Sequence, residues 1–526
     1  MSNSPLLSKN YLLLLLFILL LALSSVYVPQ VLSEDPGTAL AAWQSMLLGG
    51  PFNSIRLPNS QDISQDNYLF VTWWTPGHYL LPGLLSKLGL SLGAASLVLT
   101  VIFSVLGLVG WYKVYEKLNI DKKLLFFCLC MIASSRLFTT NFVNYTGGEL
   151  LIFGGQPWSI YVFLKYQHKP VRLFCGLLVV SLACFFLKSS YTIGLGAIGI
   201  CTGLFFVENW QNPSHRENAF WSMTAVFCCC VVYFAATQWG FLKLGANPTS
   251  SQGAFNLFAP SYEILSYPFL QWLGIGDFYN LLQRRHFITD LGLVGVLYHV
   301  LSITGLFLIG FIVWKIPKSS AKTLFIGFYL MYVAVFLYLF NASADVSLEH
   351  RHLKILAYLF LPLLCQYLQP YRNTYAVLVV VLLVANTGYG LLTYVLKKKE
   401  VYQTYVTGKS GYAIRFLAPS DLDFIHSKDD PAHPERIWFF VPTSSNVEVK
   451  YGRKLLSGFN FEASRIGNYV HNRYQSKSEK IFCVLSRHFD EKSAHPSLSK
   501  MFPEYRFEIV KTSREIVIYE GVPLAN

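Results

Sequence analysis

Charge is what this sequence has least of. Only 13% of its 526 residues are Asp, Glu, Lys or Arg, about half the share of an ordinary soluble domain. The little charge present gathers in short clusters between long apolar runs, which excludes a chain that is soluble throughout. The net charge of +13 is therefore no nucleic-acid footprint, because Lys and Arg that flank membrane spans collect in cytoplasmic loops and set orientation. A disulfide framework is lacking too. Of the ten cysteines, Cys128, Cys130, Cys175, Cys184, Cys201, Cys228, Cys229, Cys230 and Cys365 lie inside apolar runs. Cys483 alone lies in the polar tail, and no spacing suggests a metal site. There is no internal repeat, no low-complexity tract and no Gly-rich phosphate loop, so no nucleotide-sugar site is expected.

What is present is apolar length. The first run, Tyr11–Val28, follows Lys9 and lacks a small-x-small cleavage site, so it is expected to remain as a signal anchor with its N-terminus in the cytoplasm. Ten further runs between Ser91 and Leu396 predict an all-α polytopic membrane bundle of about eleven transmembrane helices. Lys113, Lys117, Lys122, Lys123, Lys165, Lys169, Arg172, Arg216, Lys315, Lys318, Lys322 and Arg372 then fall in cytoplasmic loops, as the positive-inside rule asks. Lys397, Lys398 and Lys399 stand against it, since an odd count puts them outside.

Residues 1–399 make up the membrane domain, with long outer loops at 29–90 and 240–290. Residues 400–526 read as a small extracytoplasmic α/β domain. In that tail Arg436–Pro442, Lys480–Leu485, Arg506–Val510 and Glu515–Tyr519 are strand-like, the last two forming a hairpin. Val447–Tyr474 is helix-permissive.

The chemistry-bearing residues cluster at the outer rim. In LSEDPGTALAAW (residues 32–43), Asp35 suits a helix N-cap with Pro36 at the first helical position, and Trp43 suits an interfacial anchor. The cap is the reading that local spacing favours; the sharper alternative is that a carboxylate at the mouth of a bundle acts as a general base, and Glu34 is its neighbour. Glu149, in NYTGGELLIF, is either an acid favoured by a helix dipole or a second site acid. Lys188 interrupts about 35 apolar residues, enough for two short spans, and so belongs at their bend. A lysine at that depth needs a counterion, and a lipid phosphate is a natural one. Glu349, His350, Arg351 and His352 form the densest ionic cluster near the membrane, and arginine grips phosphate in a planar fork. Arg284, Arg285 and His286 make a second basic turn.

Read together, the acidic pair, the stretch YLFVTWWTPGHYLLP (68–82) with Trp74 and His78, and the basic turn after Trp111 resemble the GT-C superfamily of polyprenyl-phosphate-sugar-dependent membrane glycosyltransferases. The nearest likeness is to relatives of protein O-mannosyltransferases and aminoarabinose transferases. The acids run Glu-Asp where Asp-Glu is commoner, and His352 stands where a Tyr is usual. The resemblance implies an inverting transfer of sugar from a polyprenyl-phosphate carrier to an extracytoplasmic glycan, lipid or protein acceptor. It implies Asp35 or Glu34 as base, Glu149 as an acid orienting the acceptor, Lys188, Arg351 and His352 as the donor-phosphate site, and His78 and Trp74 as substrate contacts; Arg285, outside the resemblance, is either a further contact to an anionic substrate or part of a solvated turn. No cofactor is called for and a divalent metal stays open. The expected location is a bacterial inner membrane. Two other classes stand beside this reading: a flippase of lipid-linked glycans, expected to show symmetric halves with broken spans, and a non-catalytic membrane scaffold.

Overall fold

The computed structural model describes residues 9–525 apart from 60, 73, 246–261, 274–291, 343–349, 441–442, 457–478 and 488–490. Every long apolar run is a helix, as a backbone in hydrocarbon must satisfy its own hydrogen bonds. Helix α1 (Lys9–Tyr27) leads through the first outer segment, which holds α2 (Glu34–Leu47) and α3 (Gly77–Ser86). The bundle continues with α4 (Leu92–Lys117), α5 (Lys122–Ser134), the single turn α6 (Arg136–Thr139), α7 (Gly148–Tyr166), α8 (Pro170–Leu187), α9 (Tyr191–Glu208) and α10 (Pro213–Gly240). After the short α11 (Tyr267–Leu273) come α12 (Gly292–Lys315), α13 (Ser320–Asn341), α14 (His350–Leu368) and α15 (Arg372–Thr404).

Among the described residues, seven helices are long and apolar enough to cross a membrane, or eight with α5 and α6 as one span bent by 55°. The chain is thus a multi-pass integral membrane protein. The expected count of about eleven goes beyond these.

Four short strands decide how the outer face is assembled. β1 (Val31–Leu32) pairs in parallel with β4 (Asn144–Tyr145) on one side and with β6 (Ala413–Ile414) on the other, and β5 (Val406–Thr407) closes the sheet. The chain after α15 therefore returns to the segment after α1. Around this sheet one apolar core joins Leu32, Leu40, Trp43, Tyr79 and Tyr145 to Tyr412, Leu422, Trp438, Phe482 and Ile518. The hairpin of β2 (Ser54–Pro58) and β3 (Asp66–Phe70) lies beside it.

The tail carries α16 (Pro419–Lys428), α17 (Glu491–Met501) and a five-stranded sheet in the order β10-β11-β9-β7-β8. Its strands are β7 (Ile437–Phe440), β8 (Arg453–Leu456), β9 (Ile481–Ser486), β10 (Tyr505–Thr512) and β11 (Ile516–Pro523). The expected hairpin is β10–β11. Within Val447–Tyr474 the helix-permissive reading is corrected at Arg453–Leu456, a parallel strand on β7. The Arg453 guanidinium explains the strand's polar sequence: although buried, it donates to the carbonyls of Ile63, Gln65 and Glu435, tying the tail to the first loop. Lys454 is buried beside it and donates to Gln44 of α2, and burial lowers its ammonium to about 7.

The junction sets a test. A Cβ added at Gly93, in the first turn of α4, would stand 2.1 Å from the carbonyl oxygen of Gly411. The helix propensity gained by Gly93→Ala, up to about 1 kcal/mol, is smaller than the roughly 1–3 kcal/mol cost of overpacking against a backbone that cannot rotate away. Gly93→Ala is expected to lower the melting temperature and speed proteolysis between residues 405 and 412.

Candidate active site

The site grows from the N-terminus of α2. Ser33 donates its N–H to the Tyr145 carbonyl at 3.3 Å, continuing the β1–β4 pairing, and so holds extended angles (φ −69°, ψ 159°). The helix consequently starts at Glu34, with Ser33 as the flanking residue. This corrects the expectation that Asp35 is the N-cap. Both acids lie in the first helical turn, where the helix dipole favours negative charge. Pro36 comes third, still among the N–H groups that a helix leaves unbonded. Glu34 is exposed and Asp35 partly so. Partial desolvation, and then the charge of Asp35, raise the Glu34 carboxyl above its ordinary value.

The rest of α2 is covered by protein. Pro36 through Ser45 are buried, and Trp43 is 3% exposed, with its ring against Gly83 of α3. Trp43 is therefore a core residue of the outer domain and not a lipid anchor.

Parallel pairing of β1 with β4 brings the acids beside the start of α7, where two glycines allow close approach. A Cβ at Gly147 would lie 3.3 Å from Pro36 Cβ and 3.0 Å from His78 Nδ1. One at Gly148 would lie 2.2 Å from His78 Nε2 and 3.1 Å from Lys188 Cδ. The His78 ring thus fills the step between the acidic turn and Lys188. It is 3% exposed, and its Nδ1 makes no hydrogen bond among the described residues. Burial, opposed by Glu149 and helped by Lys188, lowers it to about 4, so the ring is neutral at physiological pH.

Beyond it lies the cationic cleft. Lys188 sits in the break between α8 and α9, as its depth required. Its Nζ donates to Glu149 Oε1 at 2.5 Å. The same carboxylate oxygen is 3.6 Å from Arg351 Nε and 3.9 Å from His352 Nδ1. The His352 ring stacks on Phe336, with centroids 5.7 Å apart. Lys354 donates to the Glu149 backbone carbonyl at 2.7 Å. Gln156, Tyr191 and Tyr332 complete the walls, with Gln156 donating to the Tyr332 hydroxyl at 2.7 Å.

Of the expected site residues, Glu149, Lys188, Arg351 and His352 line this one cleft. His78 reaches Lys188's side of the Gly147–Gly148 step, and Pro36, which follows Glu34 and Asp35 in α2, packs on Gly147; neither acid lines the cleft itself. Trp74 is partly buried against the outer core and does not line the cleft. Arg285 lies outside the described residues, as do Arg284, His286 and Glu349.

Lys354 was not singled out from sequence. Its signal was there, a basic residue three positions after Arg351 and hence on the same helix face. In the tail, His433, Glu435 and Glu479 have ligand atoms within 4.8 Å of one another. Arg436 already holds both Glu479 oxygens, at 3.0 and 3.2 Å, which opposes a cation there.

A helical membrane bundle with a sheet-bearing tail is a fold that this chain shares with solved membrane-protein structures. The particular likenesses are to solved structures. ArnT from Cupriavidus metallidurans bound to undecaprenyl phosphate superposes with a TM-score of 0.56 over 97% of both chains, at 11% identity. Its apo form gives 0.54 over 98% of both chains, at 12% identity. The arabinofuranosyltransferase AftD from Mycobacteria gives 0.54 at 12% identity, and this chain spans 42% of its length. No protein-family model and no curated protein sequence matches the chain.

Proposed function

We propose that the chain is a membrane glycosyltransferase that moves a sugar from a polyprenyl-phosphate carrier to an acceptor at the extracytoplasmic face of a bacterial inner membrane. The observation that carries this reading is the convergence of Lys188, Arg351 and Lys354 on the head of α7, whose Gly147 packs on Pro36, the residue after the acids of α2. The likeness in fold to ArnT, whose structure holds undecaprenyl phosphate, supports a lipid phosphate as the cleft's anion. The remaining apolar helices α1, α7 and α14 bring the proposed span count to about eleven.

The proposed reaction is one inverting displacement. Asp35 or Glu34 takes the proton of the acceptor hydroxyl, whose oxygen forms a bond to the anomeric carbon as that carbon's bond to the phosphate oxygen breaks. The electron pair goes to the phosphate, which changes from a diester monoanion to a monoester dianion. Lys188 and Arg351 stabilise that added charge, which is the charge a transition-state-complementary site must meet. Neutral His78 fills the gap between base and cleft without adding to the positive field.

The test is purified protein in proteoliposomes supplied with polyprenyl-phosphate sugars of several kinds and an envelope lipid extract as acceptor. Transfer is expected from at least one donor, with inverted anomeric configuration in the product. Translocation of the donor without transfer would replace this reading by the flippase.

A further inference from the structure

A carboxylate among the cations that should bind phosphate is a paradox for a phosphate site. Glu149 is 7% exposed, and the lone oxygen Oε1 faces Lys188, Arg351 and His352. It is the only carboxylate lining the cleft among the described residues, set against Lys188, Arg351 and Lys354. The pairing is also uneven. Lys188 is held at 2.5 Å, whereas Arg351 Nε at 3.6 Å is beyond hydrogen-bond length. Lys354 spends its bond on the Glu149 backbone.

We infer that Glu149 is an internal stand-in for the phosphate: its carboxylate occupies the anion site of the empty protein and is displaced from Lys188 by the lipid phosphate. This rests on the transferase reading and deepens it. The stand-in keeps three cations gathered when no substrate is present, since buried like charges otherwise repel and spread. It also sets the carrier's residence time. After transfer the spent carrier phosphate competes with Glu149 for Lys188, and return of the carboxylate drives it out. Apparent carrier affinity is reduced by the fraction of molecules in which Glu149 has yielded. Glu149 is then a positioning residue that never touches the acceptor, unlike the acceptor-orienting role implied by the resemblance.

The test measures binding of undecaprenyl phosphate to the full-length protein in nanodiscs, together with steady-state kinetics. Glu149→Gln keeps the shape but removes the charge, and is expected to bind the carrier about tenfold tighter or more, each factor of ten being the effect of about 1.4 kcal/mol. Its KM and kcat are expected to fall together, as slow product release dictates. Glu149→Asp, whose shorter side chain withdraws the carboxylate from Lys188, is expected to tighten binding by a few fold, and it serves if the Gln variant does not fold. Carrier affinity equal to or weaker than wild type in the folded variants, with a raised acceptor KM, would overturn the stand-in and leave the transferase standing. Absence of carrier binding by the wild-type chain would remove both.

Discussion

Replacing both acids of α2, in the variant Glu34→Gln/Asp35→Asn, is expected to lower turnover by roughly 10²–10⁴-fold, the usual worth of a positioned general base, while the protein stays folded and keeps its carrier affinity within about twofold. The structure explains why the two outcomes separate. Neither acid is a capping residue, since Ser33 flanks the helix and makes no side-chain cap. Their contribution to α2 is the dipole interaction of first-turn acids, about 0.3–1 kcal/mol each at an exposed site. Against that, Pro36 through Ser45 lie buried in the outer core, so the helix stays docked without them.

The single variants sort the roles. The residue whose loss alone reproduces the double variant is the base. The pH profile gives a second reading. If Glu34 is the base, the acid limb of kcat/KM lies above the ordinary glutamate value, because partial desolvation and the charge of Asp35 raise it. Asp35→Asn removes one of those causes and is then expected to move the limb to lower pH. A double variant retaining more than a tenth of wild-type turnover would end the general-base assignment.

Why the sequence disclosed some of this and concealed the rest is a matter of range. Apolar length and terminal chemistry are local, so the helices fell where the runs did. Lys188 could be assigned to a bend because a lone charge divides 35 apolar residues in one way only. The tail strands β7, β9, β10 and β11 were legible from β-branched and aromatic density.

What stayed hidden depends on partners far away in the chain. β1 and β6 are two residues each and lie some 380 residues apart, too short for any periodic signal, yet they bring the tail back onto the first loop. β8 reads as polar because its arginine and lysine are satisfied by Ile63, Gln65, Glu435 and Gln44, contacts that no window on RKLL contains. Asp35 looks like the cap in local sequence for the same reason: the extended conformation of Ser33 is imposed by Tyr145, more than a hundred residues on. Trp43 gives the complementary lesson, since an exposed aromatic anchor and a buried core tryptophan look alike until Gly83 is seen against its ring.

Lys188→Met is expected to produce the second large effect, and here stability and chemistry must be pulled apart. Removing the ammonium leaves Glu149 buried with its nearest counterion gone. Breaking a buried pair in this way costs about 3–5 kcal/mol, enough to lower the melting temperature by several degrees. It also removes the group nearest the developing phosphate charge, for which a loss of roughly 10²–10³ in kcat is usual. The companion variant Lys188→Met/Glu149→Gln distinguishes the two. It removes both members of the pair, leaves no uncompensated carboxylate in the cleft, and is expected to regain most of the lost melting temperature. Its turnover is expected to stay as low as that of Lys188→Met, because no ammonium has been returned to the phosphate. Recovery of turnover together with stability would mean that Lys188 serves the fold alone. Arg351 would then be left as the principal phosphate contact, and Arg351→Gln would become the variant expected to abolish transfer.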